Sequence, residues 1–263
     1  MTHTSQLLGI SNAIVDILAH VEDDFIEAIG AERGAMNLID EDRAREIYDK
    51  MGPATEMSGG SVANSVAGFA NLGGAAAYIG HVHDDQLGEI FNHDMRSLGI
   101  DIRTEPATDG APTARSYILI TPDAQRTMNT YLGSCTELGL AHITPDTVAS
   151  PKVILIEGYV WDIAEGPALA RKAIDIGKAN GATIALSLSD SFCVDRHRAS
   201  FHEFVQNGVD IVVADEDEVN ALLQTATFEE TLDALKDYDN LWVMTRSEKG
   251  SVILKGETHI VQA

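Results

Sequence analysis

Two consecutive glycines, Gly59 and Gly60, precede a helical pattern that carries a carboxamide, Asn64, in its first turn. Apolar side chains continue at helical spacing through Val62 and Val66, which predicts an amphipathic helix. Because glycine has no Cβ, the backbone here can lie close to a bound molecule. The unpaired N–H groups of a helix start suit hydroxyl or anionic oxygens. The segment therefore indicates a site for a polar small molecule rich in hydroxyls or, taken alone, a plain glycine turn before a core helix.

Several sequence patterns of common enzyme sites do not occur in this chain. It has no GxxxxGK followed by Ser or Thr, no GxGxxG after the first predicted strand, no HExxH and no GxSxG. A dinucleotide-dependent oxidoreductase therefore fits poorly, because its glycine fingerprint is missing. The run from His81 to Asp85 contains metal-ligand side chains, but nothing fixes them on one face. We interpret it as a polar turn after a strand.

Composition limits the class of protein. The 263 residues are 44% apolar, enough for one large α/β domain or one domain with a small appendage. No apolar run approaches the roughly 20 residues that span a bilayer, and the start lacks the features of a signal peptide. Two cysteines, Cys135 and Cys193, form no disulfide or metal pattern, so we expect a reducing cytoplasm. The net charge of −23 makes nucleic acid an unsuitable partner.

The second half of the chain alternates apolar runs with helical patterns. This alternation predicts a largely parallel sheet covered by helices on each face. The predicted strands are 6–10, 75–79, 153–156, 183–188, 211–214 and 241–245 with a hairpin partner at 251–254, and the predicted helices are 165–179, 196–205, 217–223 and 228–235.

The first half is less regular and predicts a second, smaller sheet. Segments 17–21, 35–39, 113–120 and 126–132 mix apolar and polar side chains, and a turn-rich stretch joins the last two as a hairpin. We expect an exposed lid over the main domain, contributed by about 17–39 and 113–133.

Five motifs, in order along the chain, resemble those of the ribokinase-like (PfkB) carbohydrate kinases, and within that family the adenosine-kinase-like branch. They are Gly9 to Asp16, Gly59 to Asn64, Arg126 to Tyr131, Asp215 to Glu218, and Thr245 to Gly250. The resemblance covers nearly the whole chain, 1–263. It implies a three-layer α/β sandwich with a central, mostly parallel sheet and a small β-sheet lid.

The resemblance also implies ATP-dependent phosphorylation of a primary hydroxyl on a sugar or nucleoside. Asp16 would bind vicinal hydroxyls through its carboxylate, together with Asn12, Asn64 and the backbone of Gly59 and Gly60. Charge-assisted hydrogen bonds are the stronger kind, which suits a carboxylate to this role. Such a site rejects deoxy analogues by roughly 10⁴-fold, because its own polar groups would be left unpaired.

On the nucleotide side, the resemblance implies contacts to ATP and Mg²⁺. Glu218 would act on Mg²⁺ through water, since Mg²⁺ keeps much of its hydration shell. Asp215 stands where the family has Asn, a departure that replaces a group able to donate and accept with one that only accepts. Read without the family, this segment is a helix start. Thr245, Ser247 and Gly250 would line the phosphates and ribose of ATP, although Ser247 replaces a usual Gly.

Two further positions and one missing segment also bear on the resemblance. Arg126 resembles a lid arginine that can reach the transferring phosphate, and His83 occupies a position where the family has Gly. The segment Asp-Thr-x-Gly-Ala-Gly-Asp, which supplies the catalytic Asp and an anion hole, occurs nowhere in the sequence. We expect it to lie beyond Ala263. On that expectation the 263-residue chain itself is inactive or very weak, and expressed alone it aggregates or binds nucleotide weakly.

The sequence leaves three questions open. The acceptor could be adenosine, another purine nucleoside, ribose or a ketohexose. The rival function is a non-catalytic module that binds a nucleoside or sugar with the same fold. The lid could pair with a second copy in a homodimer or close over a single active site.

Overall fold

The computed structural model describes residues 5–263, and two β-sheets organise them. In chain order the strands are β1 Leu7–Ile10, β2 Ile14–His20, β3 Met36–Leu38, β4 Thr55–Gly59, β5 Ala76–Ile79, β6 Asp101–Ile102, β7 Ala114–Ile120, β8 Arg126–Tyr131, β9 Val153–Glu157, β10 Thr183–Ser187, β11 Ile211–Asp215, β12 Leu241–Thr245, β13 Ser251–Lys255 and β14 Glu257–Val261.

Helices connect these strands. In chain order they are α1 Asp23–Ala28, α2 Glu41–Lys50, α3 Ser61–Asn71, α4 Gln86–Ser97, α5 Pro145–Val148, α6 Gly166–Ala179, α7 Ser191–Asn207, α8 Glu216–Leu223 and α9 Phe228–Leu235. No helix in the described part of the chain is both long and apolar enough to cross a membrane.

The larger sheet has the strand order β14-β13-β12-β11-β10-β9-β1-β5-β6. The strands from β6 to β12 run parallel, and β13 and β14 extend the edge as antiparallel strands. Near-continuous apolar runs form the central strands because both of their faces are covered. Helix α3 packs on β1, β5 and β9, and α6 packs on β9 and β10. The predicted α/β class with a mostly parallel sheet is confirmed.

The two faces of the sheet differ at β11 to β13. On one face Val212 and Trp242 are fully buried against the helical layer. On the other face Val213, Val243 and Ile253 are aligned across neighbouring strands and remain partly exposed. Apolar side chains in register on a partly open face form a hydrophobic surface.

The smaller sheet has the strand order β3-β8-β7-β2-β4. One face packs Val15 and Ile17 of β2 and Tyr117 of β7 against α2 and α4. Because side chains alternate along a strand, the opposite face carries Ile14, Asp16 and their neighbours. Asp16 therefore lies on the face that does not pack on α2 and α4.

The lid differs in detail from the segments predicted for it. Strand β2 begins at Ile14, three residues before the predicted range, and β4 was absent from the prediction.

Helix α7 begins at Ser191 rather than at 196, and His197 has non-helical backbone angles inside it. The prediction began at this kink because the periodic pattern is interrupted there.

Candidate active site

The Asp16 carboxylate lies directly over Gly59. The antiparallel register pairs Asp16 with Met57 and Ile14 with Gly59, so residues 16 and 59 share one face of the small sheet. A Cβ added at Gly59 would lie 2.3 Å from Oδ2 of Asp16. No side chain fits in that space, so glycine at residue 59 is a condition for the position of the carboxylate.

Asp16 has free hydrogen-bonding capacity. Within residues 5–263, no protein group donates a hydrogen bond to its carboxylate. Burial raises the pKa of Asp16 to about 6. A half-buried carboxylate without a protein donor can accept hydrogen bonds from hydroxyl groups of a bound molecule.

Gly60 and Asn12 bring two chain connections into contact. Gly60 is the N-cap of α3, with φ of +97°, and a Cβ there would lie 2.8 Å from the carbonyl oxygen of Asn12. The Asn12 side chain is buried, and its Oδ1 has no partner in the described part of the chain. Asn64 is exposed one turn into α3. Asn12, Gly60 and Asn64 thus gather at the start of this helix.

A buried carboxylate that sequence reasoning missed, Glu157, occupies the N-terminus of α3. Oε2 of Glu157 accepts from the Asn12 N–H at 2.9 Å, and Oε1 accepts from the Ser61 hydroxyl at 2.5 Å and the Val62 N–H at 3.3 Å. At this helix start the Val62 N–H is therefore already paired within the protein. The available signal was a glutamate ending a run of four apolar residues, 153–156.

These groups lie where the strand order changes direction. Strand β1 has β5 on one side and β9 on the other. Asn12 follows β1, and Glu157 ends β9, so both lie at the carboxyl edge of the sheet. In open α/β sheets, ligands bind in the crevice at such a switch point.

An apolar surface adjoins Asp16 on the same face of the small sheet. Leu18, Ile118, Met128 and Met36 are register neighbours in one row across four strands. Met36 is 43% exposed, and Leu18, Ile118 and Met128 are partly exposed. We call this row of four residues the apolar row. It offers a flat aliphatic surface next to a hydroxyl-accepting carboxylate.

On the predicted nucleotide side, Asp215 and Glu218 form a capping box at the start of α8. The Glu218 N–H donates to Oδ1 of Asp215 at 2.8 Å, and the Asp215 N–H donates to Oε2 of Glu218 at 3.1 Å. Burial and the neighbouring carboxylate of Asp215 raise the pKa of Glu218 to about 7. The helix-start reading of this segment therefore describes its local structure.

The segment from Thr245 to Gly250 lies beside this capping box. Thr245 and Asp215 are register partners at the ends of β12 and β11. Ser247 has φ of +49°, a left-handed conformation that favours glycine, which accounts for the Gly that the resemblance expects there. The guanidinium of Arg246 holds the segment against Glu216 at 2.8 Å.

Asn12 on the acceptor side and Asp215 and Thr245 on the nucleotide side lie at one edge of the large sheet. Strands β9 and β10 separate β1 from β11. At about 4.8 Å per strand, the two groups of residues lie roughly 15 Å apart. A molecule bound at the acceptor side and one bound at the nucleotide side would therefore meet over the ends of β9 and β10.

The residues fit a hydrated Mg²⁺ better than a directly ligated one. Within residues 5–263, no group of three or more His, Cys, Asp or Glu side chains could hold a metal ion. The pKa of Glu218 is raised mainly by burial and further by the neighbouring carboxylate of Asp215, and a cation would relieve the second of these effects. Contact through water, with phosphates completing the coordination, is consistent with both observations.

Two other predicted positions lie apart from this arrangement. Arg126 is exposed and pairs with Ile120, four residues beyond Ser116, the register partner of Asp16. That is roughly 13 Å along the strand, so the structure does not bring Arg126 to Asp16. His83 replaces an expected Gly without strain, because its φ is not positive.

Comparisons with known proteins agree with the fold. The profile of the pfkB family carbohydrate kinases matches residues 26–263, so the chain belongs to this family of kinases. A solved structure of adenosine kinase from Sinorhizobium meliloti superposes with a TM-score of 0.90 and 49% identity, covering 99% of this chain and 80% of that one. A probable sugar kinase from Rhizobium etli CFN 42 gives a TM-score of 0.91 and 46% identity over 98% of this chain and 79% of that one.

A curated relative is more distant. The guanosine-inosine kinase of Escherichia coli strain K12 is 25% identical over 233 residues, which are 84% of this chain and 53% of that protein. This chain therefore spans about half the length of this curated relative. The predicted family resemblance is confirmed.

Proposed function

We propose that this protein takes part in ATP-dependent phosphorylation of a primary hydroxyl on a purine nucleoside. The observation that carries the proposal is the Asp16 carboxylate, which lies over Gly59, receives no hydrogen bond from the described residues 5–263 and adjoins the apolar row. Ribose-type hydroxyls match the carboxylate, and a purine base matches the aliphatic surface. Ribose itself and ketohexoses match only the first of these features.

The acceptor-side residues would bind and orient the sugar. The Asp16 carboxylate accepts from two vicinal hydroxyls, and the unpaired Oδ1 of Asn12 accepts from a further donor. Asn64, exposed in the first turn of α3, can donate or accept through its carboxamide. The backbone of Gly59 and Gly60 leaves room for close approach of the ligand.

The nucleotide-side residues would position ATP. We assign Asp215, Glu218, Thr245, Ser247 and Gly250 to this end of the crevice, since they share the ends of β11 and β12. Mg²⁺, when bound with phosphate, would supply charge neutralisation, with Glu218 contacting it through water. Phosphoryl transfer depends mainly on positioning and charge stabilisation. Arg126 would join this site only after the lid moves.

A panel assay tests the acceptor. ADP release would be measured with adenosine, guanosine, inosine, ribose and fructose at equal concentration, with Asp16→Asn as the control variant. We expect turnover or binding of at least one purine nucleoside, lost by at least 100-fold in Asp16→Asn. A response to ribose or fructose without any response to nucleosides would contradict the nucleoside proposal.

A second candidate function is a binding module of the same fold without catalysis. The observation that favours it is that Asp215 and Glu218 bond to each other in the capping box, whereas Asp16 is free to accept. In this case the 263-residue chain is inactive or very weak. Calorimetry separates the two: acceptor binding without ATP binding supports the module, and binding of both supports the kinase.

The assembly and location of the protein are also proposals. A homodimer through the lid could use the β3 edge, because at the β4 edge the Ser58 N–H is already bonded to Asp94 at 2.8 Å. Light scattering on the purified chain would distinguish monomer from dimer. The two buried free thiols, Cys135 and Cys193, support a reducing cytoplasm.

A further inference from the structure

The small sheet is joined to the large sheet by connections at the candidate acceptor site. One connection runs from β1 through Asn12 into β2. Another runs from β4 through Gly60 into α3. The two touch, since a Cβ on Gly60 would meet the Asn12 carbonyl oxygen at 2.8 Å. Two further connections, from β6 to β7 and from β8 to β9, also join the sheets, so the two at Asn12 and Gly60 are those that lie next to the candidate acceptor residues.

Glu157 of the large sheet bonds to both connections. Its Oε2 accepts from the Asn12 N–H, and its Oε1 accepts from Ser61 and Val62, which directly follow Gly60. The side chain is 1% exposed, and no Lys, Arg or His of residues 5–263 forms a salt bridge with it. Its partners are therefore backbone and hydroxyl donors of the two connections, and no cation competes for its oxygens.

A carboxylate is the side chain that satisfies this set of donors. Burial raises the pKa of Glu157, whereas the donors from Ser61, Asn12 and Val62 favour its ionised form. In that form both oxygens accept, and neither carries a proton that would face an N–H group. In a glutamine, one of the two positions becomes an NH₂ group. It would then face the N–H of Asn12 or of Val62, leaving one buried donor without a partner. The arrangement thus selects for Glu over its amide at equal size.

We propose that Glu157 is a positioning residue that fixes the two lid connections at Asn12 and Gly60 to the end of β9 and so sets the place of Asp16, Asn12 and Gly59 for the acceptor. This inference rests on the proposed function for its effect on acceptor binding, but its structural part does not. Glu157 itself would not contact the acceptor. Its effect passes through the backbone at Asn12 and Val62.

Hydrogen exchange tests the structural part without requiring any activity. Amide exchange in peptides covering 10–14 and 60–64 would be measured in the wild type, Glu157→Gln and Glu165→Gln. Glu165 is the matched control, because its carboxylate also accepts from a backbone N–H, that of Leu140 at 3.0 Å, but is exposed. We expect Glu157→Gln to speed exchange in both peptides about tenfold or more, with β9 and β1 changed less than threefold.

Calorimetry with adenosine as the probe tests the functional part. We expect Glu157→Gln to weaken adenosine binding about tenfold or more, the size of losing one well-made hydrogen bond to a charged group, and Glu165→Gln to leave it unchanged. Ser61→Ala removes one donor while keeping the carboxylate, so it provides a milder variant if Glu157→Gln folds poorly. We expect Ser61→Ala to speed exchange in 60–64 and not in 10–14.

The outcomes separate the two proposals. If Glu157→Gln speeds exchange at both connections but the wild type does not bind adenosine, the positioning role of Glu157 is supported and the nucleoside proposal is contradicted. Equal exchange in wild type and Glu157→Gln, or a uniform increase that includes β1 and β9, overturns the positioning role. Unchanged adenosine affinity in Glu157→Gln, with the wild type binding, overturns its effect on the acceptor.

Discussion

Asp16 and Gly59 occupy a shared space, because the Asp16 carboxylate fills the volume in which a side chain at residue 59 would begin, 2.3 Å from Oδ2. Gly59→Ala should therefore displace the carboxylate rather than merely crowd a ligand. We expect acceptor affinity, or kcat/KM if the chain turns over, to fall by at least 100-fold, a loss of about 2.7 kcal/mol. Calorimetry with adenosine measures the change.

Gly68→Ala is the matched control for that substitution. Gly68 lies inside α3 near the same site, and a Cβ there would meet nothing within 4 Å. Since alanine is the better helix former, the control should be more stable by about 0.5–1 kcal/mol with unchanged affinity. Equal affinities of Gly59→Ala and the wild type would remove Asp16 from the acceptor site.

Acceptor binding should depend on pH through Asp16. Burial raises the pKa of Asp16 from 3.8 to about 6, so the carboxyl becomes protonated as the pH falls through 6 and loses part of its accepting capacity. We expect adenosine affinity to be constant above about pH 7 and to fall about tenfold per pH unit below about pH 6. A pH series of calorimetric titrations measures this. Affinity that stays flat from pH 8 to pH 5 would contradict it.

The same shift predicts an effect on stability with the opposite direction. Because the pKa of folded Asp16 lies above the unfolded value, its contribution to stability is fully present below about pH 3.8 and is lost as the pH rises through 6. Asp16→Asn should therefore be more stable than the wild type at pH 8, by about 1 kcal/mol after allowance for solvent contact. Denaturant titrations of the wild type and Asp16→Asn at pH 4 and pH 8 measure this. A difference in unfolding free energy between the two proteins that is the same at both pH values would contradict it.

The fold could be predicted further than the site. Apolar runs such as 153–156 and the helical spacing after Gly60 determine parallel strands and their crossovers, because they depend on local periodicity. Strand β4 escaped prediction because Thr55 to Gly59 has few apolar residues and is defined by pairing with β2. Local sequence does not encode such a long-range pairing.

Within the site, sequence reasoning brought Asp16 and Gly59 together but missed Glu157. The motif resemblance named groups that would face a ligand, whereas Glu157 faces the backbone of Asn12 and Val62. Arg126 illustrates the opposite case. Its residue type and motif resemble those of a phosphate-contacting arginine, but it lies roughly 13 Å along the strand from the row of Asp16.

Ser247 should carry removable backbone strain. Its φ of +49° lies in the left-handed region, which costs a non-glycine residue about 1 kcal/mol or more. We expect Ser247→Gly to raise the free energy of unfolding by about 0.5–1 kcal/mol. The control is Ser251→Gly in extended strand β13, where glycine should lower it by a similar amount. Denaturant unfolding measures both, and destabilisation by Ser247→Gly would mean that its hydroxyl outweighs the strain.

The partly exposed side chains Val213 and Val243 should make the chain bind hydrophobic dyes. They are register neighbours on the open face of β11 and β12. We expect the folded chain to enhance the fluorescence of 8-anilinonaphthalene-1-sulfonate, and the Val213→Thr, Val243→Thr double variant to reduce this by at least half. Val212→Thr, on the buried face, should instead destabilise the fold by about 1–3 kcal/mol. Dye fluorescence unaffected by the double variant would place the apolar surface elsewhere.

Ile118 in the apolar row should separate a nucleoside acceptor from a simple sugar. Ile118 lies between Leu18 and Met128, one row from Asp16, so it can contact a base but not the hydroxyls that Asp16 accepts. Ile118→Asn replaces aliphatic surface with a group that binds water. It should weaken adenosine binding by about tenfold, roughly the transfer free energy of part of one aliphatic side chain. Ribose binding should change less than twofold, because ribose has no base to lose this contact. Calorimetry with the two ligands measures the ratio. Equal losses for adenosine and ribose would mean that the substitution disturbs Asp16 itself, and no loss for either would place the base on another surface.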